Sequence, residues 1–265
     1  MIRSDFPERT GKHFICCCNR QAPGSSDHSV AHAVLQHTKN ILELSQEQLS
    51  AEAHLSTASV SRFFRRCGFE SFQQFKHQLA QFFAERRLRQ IRHLLTAFHG
   101  KNAQAMAQQL YQEAAVNLQY TMEQLDLDLL RQVVKKIQNS RTVYFVGDNR
   151  DMHCFYSLQL DLLCNGQAAY FYNIDDISEH TLPQMDRSTT ILLLSVNSFW
   201  FHEEMALLCA AARREHAFTI LFSQEKPYAQ VEPDLCCLYG QAGSFNNGYY
   251  SLMLLAKLLS TMFYT

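Results

Sequence analysis

Five short apolar runs in the second part of the chain constrain its fold more than any other feature. They are separated by amphipathic segments with the spacing of helices, and the central run is apolar at successive positions instead of alternating ones. Parallel strands covered on both faces show such continuous runs, and alternation of strand and helix is typical of a doubly wound sheet. We therefore predict an α/β domain with a five-stranded parallel sheet. The strands are expected at 142–146, 168–172, 190–194, 218–222 and 235–239, and the helices at 103–120, 127–139, 152–165, 202–215 and 247–261.

The first part of the chain has a different character. Over 29–99 it contains one glycine, Gly68, and no proline, and apolar residues recur every three or four positions, which indicates a block of helices. A polar stretch around Gly100 ends this periodicity and marks the domain boundary. We expect a helical domain over 29–99 and the α/β domain over 100–265. A Pro-Gly-Ser-Ser turn cluster predicts that 1–28 forms a poorly ordered leader.

The near-neutral charge of the chain hides an asymmetry between its two parts. Over all 265 residues, 24 Lys and Arg stand against 25 Asp and Glu. Residues 1–100 carry 13 basic and 8 acidic side chains, a net charge of +5, whereas 101–265 carry 11 and 17, a net charge of −6. The basic excess is strongest over 56–92, with 8 basic and 2 acidic residues. This asymmetry indicates that one part binds a polyanion such as nucleic acid; a solvated basic helix face is the alternative.

A short amphipathic helix over 46–53, a tight turn and a second helix after Ser56 form a helix-turn-helix pattern. Val60, Phe63 and Phe64 have helical spacing and would pack on the first helix. On the other face, small hydroxyl side chains can approach phosphates and base edges, and arginines supply contacts to phosphate or guanine. An ordinary helical hairpin with a basic solvent face is again the alternative. The candidate DNA-binding residues are Ser56, Thr57, Ser59, Ser61, Arg62, Arg65 and Arg66.

A specific sequence pattern runs through this second helix and beyond it. It reads Leu55-Ser56-x-x-Ser59-Val60-Ser61-Arg62-Phe63, followed by Arg65-Arg66-x-Gly68-Phe69-x-x-Phe72-x-x-Phe75-Lys76. The pattern resembles the N-terminal helix-turn-helix of RpiR/MurR-type bacterial transcription regulators, although Ser59 stands where the family usually has Thr. The resemblance implies that the helix 56–66 binds operator sites in double-stranded DNA. It also implies that the α/β domain is a sugar-isomerase (SIS) domain.

In that family, loops after two of the parallel strands hold the phosphate of a phosphosugar. In the first loop of this chain Gly147 is kept, Asn149 replaces the second glycine, and Arg150 or Asp151 stands at the position of the phosphate-binding serine. Asp148 and Asp151 would repel a phosphate, and Arg150 could offset part of that repulsion. The first loop is therefore a departure from the family pattern.

The second loop departs from the pattern as well. Ser195 is kept, Asn197 replaces a serine, Ser198 replaces a glycine, and Trp200 stands where a threonine would donate. Three alternatives stay open for the domain: an altered phosphosugar site, a site for another, more apolar or less anionic metabolite that stacks on Trp200, and a dimerisation scaffold without a ligand. The candidate ligand-binding residues are Gly147, Asn149, Arg150, Ser195, Asn197 and Ser198.

A phosphosugar isomerase, or a phosphosugar-binding protein of the SIS fold, is the rival to a regulator. Aldose–ketose isomerisation needs a general base and a ring-opening acid. Glu179, His180, His202, Glu203 and Glu204 are candidates, but acidic residues also favour a helix N-terminus. Because most of the phosphate-holding hydroxyls are replaced, we expect a regulator without catalytic activity.

The nine cysteines lack the paired spacings of a zinc site, and we expect free thiols of a reducing cytoplasm. Cys16, Cys17 and Cys18, with His13 and His28 nearby, are the alternative metal or redox feature. No metal and no cofactor is expected.

No apolar stretch approaches the ~20 residues of a membrane helix, and the charged N-terminus does not resemble a signal peptide. We therefore expect a cytoplasmic protein without a membrane partner. Because helix-turn-helix proteins gain affinity by pairing, we also expect a homodimer or a dimer of dimers on a palindromic site.

Overall fold

The chain, seen here in a computed structural model, divides between Lys101 and Asn102 into two compact units. No helix in the described part of the chain is both long and apolar enough to cross a membrane. Five residues named above lie outside the described residues: His13, Cys16, Asn197, Ser198 and Trp200. The structure describes Gly11 and residues 14–15, 17–195, 201–242 and 248–265, with the backbone alone at 89–90 and 92–95.

Helical residues occur at 14–15 and 17–19, and four further helices of the first unit begin at well-defined caps. Each starts after a serine whose side-chain oxygen accepts a hydrogen bond from a backbone N–H of the first turn, which satisfies a donor that the helix itself cannot. After the third helix, Gly68 adopts a φ of 82° and the N–H of Phe69 donates to the carbonyl of Phe64 at 2.9 Å. A glycine suits this cap because it has no Cβ. The helices are α1 (Ser26–Gln36), α2 (Gln46–Glu52), α3 (Thr57–Arg66) and α4 (Phe72–Phe98).

Aromatic and aliphatic side chains form the core of this unit. Val60, Phe63 and Phe64 on α3 are buried, as predicted. Phe14 is also fully buried, with its ring centroid 4.8 Å from that of Phe75. The segment expected to be a poorly ordered leader therefore contributes a core residue. The turn cluster that suggested the leader lies after this apolar side chain and does not prevent it from packing.

The second unit is built on a five-stranded sheet in the order β2-β1-β3-β4-β5, and all neighbouring strands are parallel. The predicted sheet is confirmed. Its strands are β1 (Thr142–Gly147), β2 (Ala168–Asn173), β3 (Thr189–Ser195), β4 (Phe218–Ser223) and β5 (Leu235–Leu238). The helices are α5 (Ala103–Gln124), α6 (Leu127–Gln138), α7 (Asn149–His153), α8 (Tyr156–Cys164), α9 (His202–Arg214) and α10 (Gly248–Met262).

Helices cover both faces of this sheet. Leu192 and Leu194 of β3 belong to a core cluster shared with α6, α8 and α10, whereas Ile191 and Leu193 belong to a second cluster shared with α9. Successive side chains of a strand point to opposite faces. The apolar run is therefore continuous because both faces of β3 are buried.

The prediction of a single helix over 152–165 is wrong, because the chain forms two helices, α7 and α8, with a break between them. Phe155 leaves the helical conformation with a φ of −96° and a ψ of 7°. Its fully buried ring lies 5.8 Å from the ring centroids of both Phe145 and Phe222. The helix breaks at the residue whose ring packs against Phe145 of β1 and Phe222 of β4. The apolar periodicity of the local sequence does not reveal such a contact.

Buried hydrogen bonds attach α5 to the rest of the second unit. Asn117 Nδ2 donates to Ser251 Oγ at 2.8 Å, and Thr121 Oγ1 lies 2.8 Å from the same oxygen. The backbone N–H of Gly240 donates to Thr121 Oγ1 at 3.1 Å, and that of Gln241 donates to Asn117 Oδ1 at 2.7 Å. These contacts hold α5 against α10 and the loop after β5.

Candidate functional site

Gln46 sets the geometry between α2 and α3. Its Nε2 donates to the carbonyl of Thr57 at 2.9 Å and to Ser61 Oγ at 2.6 Å. In the turn between the helices, His54 adopts a φ of 54°. Ser61 was predicted on the DNA-binding face, but its half-buried hydroxyl holds Gln46. Ser61 therefore positions α3 against α2.

The N-terminus of α3 presents small hydroxyl groups to solvent. Ser56 and Thr57 are exposed, and Ser59 is half-buried. Ser56 Oγ accepts a hydrogen bond from the N–H of Ser59 at 3.2 Å and lies 3.0 Å from Ser59 Oγ. Arg62 is exposed, and its Nη2 donates to Ser59 Oγ at 3.0 Å. This arrangement holds the Arg62 side chain beside the hydroxyl of Ser59 on the exposed side of α3.

The two arginines at the end of α3 differ in their surroundings. Arg65 and Arg66 are both exposed. Arg66 forms a two-point ion pair with Asp27 of α1, in which Nε donates to Oδ2 at 3.2 Å and Nη2 contacts Oδ1. Asp27 therefore offsets much of the Arg66 charge, and we expect Arg62 and Arg65 to be more available to an anion.

Lys76 was counted in the basic stretch but faces the core. It is buried, and its Nζ donates to the carbonyls of Leu42 and Leu44 at 2.9 and 2.8 Å. On α4, Lys76 lies one helical turn after Phe72 and directly after Phe75. This spacing is the sequence signal that could have predicted a side chain facing the core. Lys76 fixes the loop before α2 and is not available to a polyanion.

The carboxyl ends of β1 and β3 form the second candidate site. The strand order reverses between these two strands, and open α/β sheets bind ligands at such a point. A Cβ on Gly147, the last residue of β1, would lie 2.7 Å from the carbonyl oxygen of Leu194. The close approach of the two strands is therefore a sufficient reason for glycine at this position.

The loop after β1 is rich in internal contacts. Asp148 caps α7 by accepting a hydrogen bond from the N–H of Arg150 at 3.0 Å. Arg150 Nε lies 3.5 Å from Oδ1 of the buried Asp151, and its guanidinium lies 5.8 Å from the centre of the Tyr249 ring. Asn149 Oδ1 lies 3.5 Å from Asn173 Nδ2. Arg150 was expected to offset repulsion of a phosphate, but Asp151 already uses part of its charge.

Ser195 ends β3 with a buried hydroxyl. Its side chain is 3% exposed, and its Oγ has no hydrogen-bond partner among the described residues. Its carbonyl oxygen accepts a hydrogen bond at 2.9 Å from the hydroxyl of Tyr239. Burial, with a further contribution from Asp151, raises the pKa of Tyr239, so this hydroxyl remains a donor. Among the described residues, the Ser195 hydroxyl is therefore a buried polar group at the ends of β1 and β3 that a ligand could satisfy.

The isomerase candidates lie on two separate segments. Glu179 and His180 are exposed in the loop before β3, where the N–H of His180 donates to Ser178 Oγ at 3.3 Å. Glu203 and Glu204 occupy the first turn of α9, where carboxylates favour the helix dipole. Among the described residues, no group of three His, Cys, Asp or Glu side chains could hold a metal ion.

Sequence comparison relates the first unit to a known family. Residues 20–86 match the helix-turn-helix domain of the rpiR family. An uncharacterised HTH-type transcriptional regulator of Thermotoga maritima is 27% identical over 124 residues, which are 46% of this chain and 44% of that protein. One of Clostridium perfringens is 26% identical over 122 residues, which are 46% of this chain and 43% of that protein. The chain thus covers less than half the length of these relatives.

Structural comparison extends to the second unit. The Vibrio vulnificus NanR protein, solved in complex with ManNAc-6P, is 13% identical with a TM-score of 0.50, over 96% of this chain and 90% of that one. A candidate sugar-phosphate isomerase of Listeria monocytogenes is 16% identical with a TM-score of 0.52, over 61% of this chain and 90% of that one. At these identities the likeness shows the fold alone. The fold is a helix-turn-helix unit followed by an α/β unit of the SIS type.

Proposed function

Since its first unit is a helix-turn-helix domain of the rpiR family, we propose that this chain is a transcription regulator that binds operator DNA through α3. The exposed N-terminus of α3 carries this proposal. Ser56 and Thr57 are exposed there, and the exposed Arg62 follows further along α3. We assign these three residues contacts to base edges and Arg65 a contact to phosphate. We keep Ser59, which lies beside Arg62, among the proposed DNA-binding residues. We assign Ser61 and Arg66 the role of positioning α3, because Ser61 contacts Gln46 and Arg66 contacts Asp27.

We assign pairing and sensing to the second unit. One helix-turn-helix contacts a short half-site, so a homodimer or dimer of dimers is required for tight operator binding. An effector would act by binding differently to the DNA-competent and incompetent arrangements of the protein. NanR, with a similar fold, was solved with a sugar phosphate, which supports a metabolite as the effector here.

The ligand crevice proposed for this effector lies between the ends of β1 and β3. It comprises the six residues predicted above, of which Gly147, Asn149, Arg150 and Ser195 are described. Asp148 and Asp151 border it, and Arg150 is engaged by Asp151. These carboxylates favour a metabolite with less negative charge than a sugar phosphate. They also weaken the alternative of a phosphosugar isomerase, whose substrate would be held by its phosphate.

Selection from random DNA tests the proposal. The purified full-length chain is incubated with random-sequence duplexes long enough for two half-sites, and bound duplexes are recovered and sequenced over several rounds. We expect enrichment of an inverted repeat whose half-sites lie roughly ten base pairs apart or a multiple of it, because a two-fold dimer reads successive turns of the duplex. Recovery without sequence enrichment would contradict operator binding.

A further inference from the structure

A groove in the first unit is lined by none of the residues that we assign to DNA binding. Its volume is about 720 Å³, and its lining comes from the segment 38–43 before α2 and from side chains of α4 between positions 80 and 91. At about 1.5 Å per residue, this part of α4 spans about 16 Å, or about three helical turns. A groove of this size can hold an elongated small molecule. We call it the α4 groove.

Apolar side chains form much of this lining. Ile41 is buried in the core cluster of the first unit, and Phe83 is half-buried against the same cluster. Leu42 and Ile91 also line the α4 groove, and they are 51% and 44% exposed. Removal of exposed apolar surface from water is favourable. The α4 groove therefore favours a ligand with an apolar body.

Three cationic side chains line the same groove, namely Lys39, Arg86 and Arg87. All three are exposed, and none has a hydrogen bond or an ion pair with another residue in the described part of the chain. Glu43 is the one carboxylate in the lining, so three positive charges stand against one negative charge. Cations without a protein partner favour an anionic group on the ligand, because guanidinium and ammonium groups form strong hydrogen bonds with carboxylates.

Lys76 connects the two sides of the α4 groove. It lies on α4, and its Nζ donates to the carbonyls of Leu42 and Leu44 at 2.9 and 2.8 Å. The segment before α2 is therefore held against α4 without a ligand. A preformed site loses little binding free energy to the ordering of loops and side chains.

We propose that the α4 groove binds the anion of a free fatty acid. The carboxylate accepts hydrogen bonds from the cationic side chains, and the alkyl chain covers the apolar lining. A phosphate of DNA would use the cations but would leave Leu42 and Ile91 exposed. A bilayer presents a broad surface, whereas a single alkyl chain can enter a groove.

Calorimetric titration of the full chain with dodecanoate, below the concentration at which it forms micelles, tests the site. We expect saturable binding of one dodecanoate per chain. Butanoate keeps the carboxylate without the long chain, and dodecyltrimethylammonium keeps the chain with a cationic head. Each should bind more weakly than dodecanoate by roughly 10-fold or more, because each lacks one of the two features that the groove recognises.

Variants with matched controls assign the binding to this groove. The double variant Arg86→Gln, Arg87→Gln should weaken dodecanoate binding by roughly 10-fold, whereas Arg214→Gln, an exposed arginine of the second unit, should leave it unchanged. Ile91→Ser should also weaken it, and Leu88→Ser should not, because Leu88 is exposed on α4 but does not line the groove.

Glu43→Gln should tighten dodecanoate binding, because it removes the carboxylate that repels the ligand. Absence of saturable dodecanoate binding would overturn the proposal. Equal affinity for dodecyltrimethylammonium would also overturn it, as would equal weakening by Leu88→Ser and Ile91→Ser. Loss of affinity for duplex DNA in the double arginine variant, without any dodecanoate binding to the unmodified chain, would assign the cations to DNA instead.

Discussion

Lys76 carries a charged side chain into the core of the first unit, where the carbonyls of Leu42 and Leu44 receive its hydrogen bonds. A buried ammonium group is tolerated only when hydrogen bonds replace the water that it loses. Its place beside Phe72 and Phe75 follows from helical spacing and could be predicted. Its partners could not, because they lie 34 and 32 positions earlier in the chain and leave no local pattern.

Lys76→Met should lower the free energy of unfolding of the first unit by about 1–3 kcal/mol, because two carbonyls lose a buried donor while the side-chain volume is nearly kept. Urea denaturation followed by circular dichroism measures this loss. The matched control is Lys39→Met, whose exposed side chain should change stability by less than about 0.5 kcal/mol. Equal stability of the two variants would contradict the structural role of Lys76.

At the scale of elements, the ends of the strands are where sequence patterns were least informative. Four of the five strands end one residue later than predicted, on Gly147, Asn173, Ser195 and Ser223. The apolar pattern stops at the last core residue, but backbone pairing continues through the following small or polar residue. These four residues lie at the carboxyl edge of the sheet. The position of this edge could be predicted from the sequence, but the hydrogen bonds of its side chains could not.

The hydrogen bonds of the two serines at strand ends can be compared directly. Ser195 and Ser223 pair in register and are both buried, but Ser223 Oγ accepts a hydrogen bond from the N–H of Glu225 at 3.2 Å. The Ser195 hydroxyl has no such partner among the described residues. A buried polar group without a partner costs stability, and such groups often serve a ligand.

Ser195→Ala should therefore raise the free energy of unfolding of the ligand-free protein by about 1 kcal/mol, because it removes a buried hydroxyl that has no partner among the described residues. Ser223→Ala is the control and should lower it by about 1 kcal/mol, because it removes a hydrogen-bonded one. Chemical denaturation of both variants measures the sign of each change in the free energy of unfolding. A Ser195→Ala variant as destabilised as Ser223→Ala would argue against an unsatisfied hydroxyl in the crevice.

For the whole molecule, the near-zero net charge is the sum of a basic unit and an acidic one. The structure reduces the basic charge that can face DNA, since Lys76 is buried and Arg66 is paired with Asp27. The helix-turn-helix and the doubly wound sheet could be predicted, because both rest on periodicity within one segment. The identity of the effector could not, because the crevice depends on side chains from several distant segments.

The affinity of α3 variants for a selected duplex tests the central claim most directly. The probe is the duplex enriched by the full-length chain, and Kd is measured at one fixed salt concentration for the unmodified protein, Arg62→Ala and Arg66→Ala. We expect Arg62→Ala to weaken binding by roughly 5- to 100-fold, since a base-reading arginine contributes about 1–3 kcal/mol. Arg66→Ala, whose guanidinium Asp27 already holds, should weaken binding less. An unchanged Kd for Arg62→Ala, or a larger loss for Arg66→Ala, would contradict operator recognition by the exposed N-terminal face of α3.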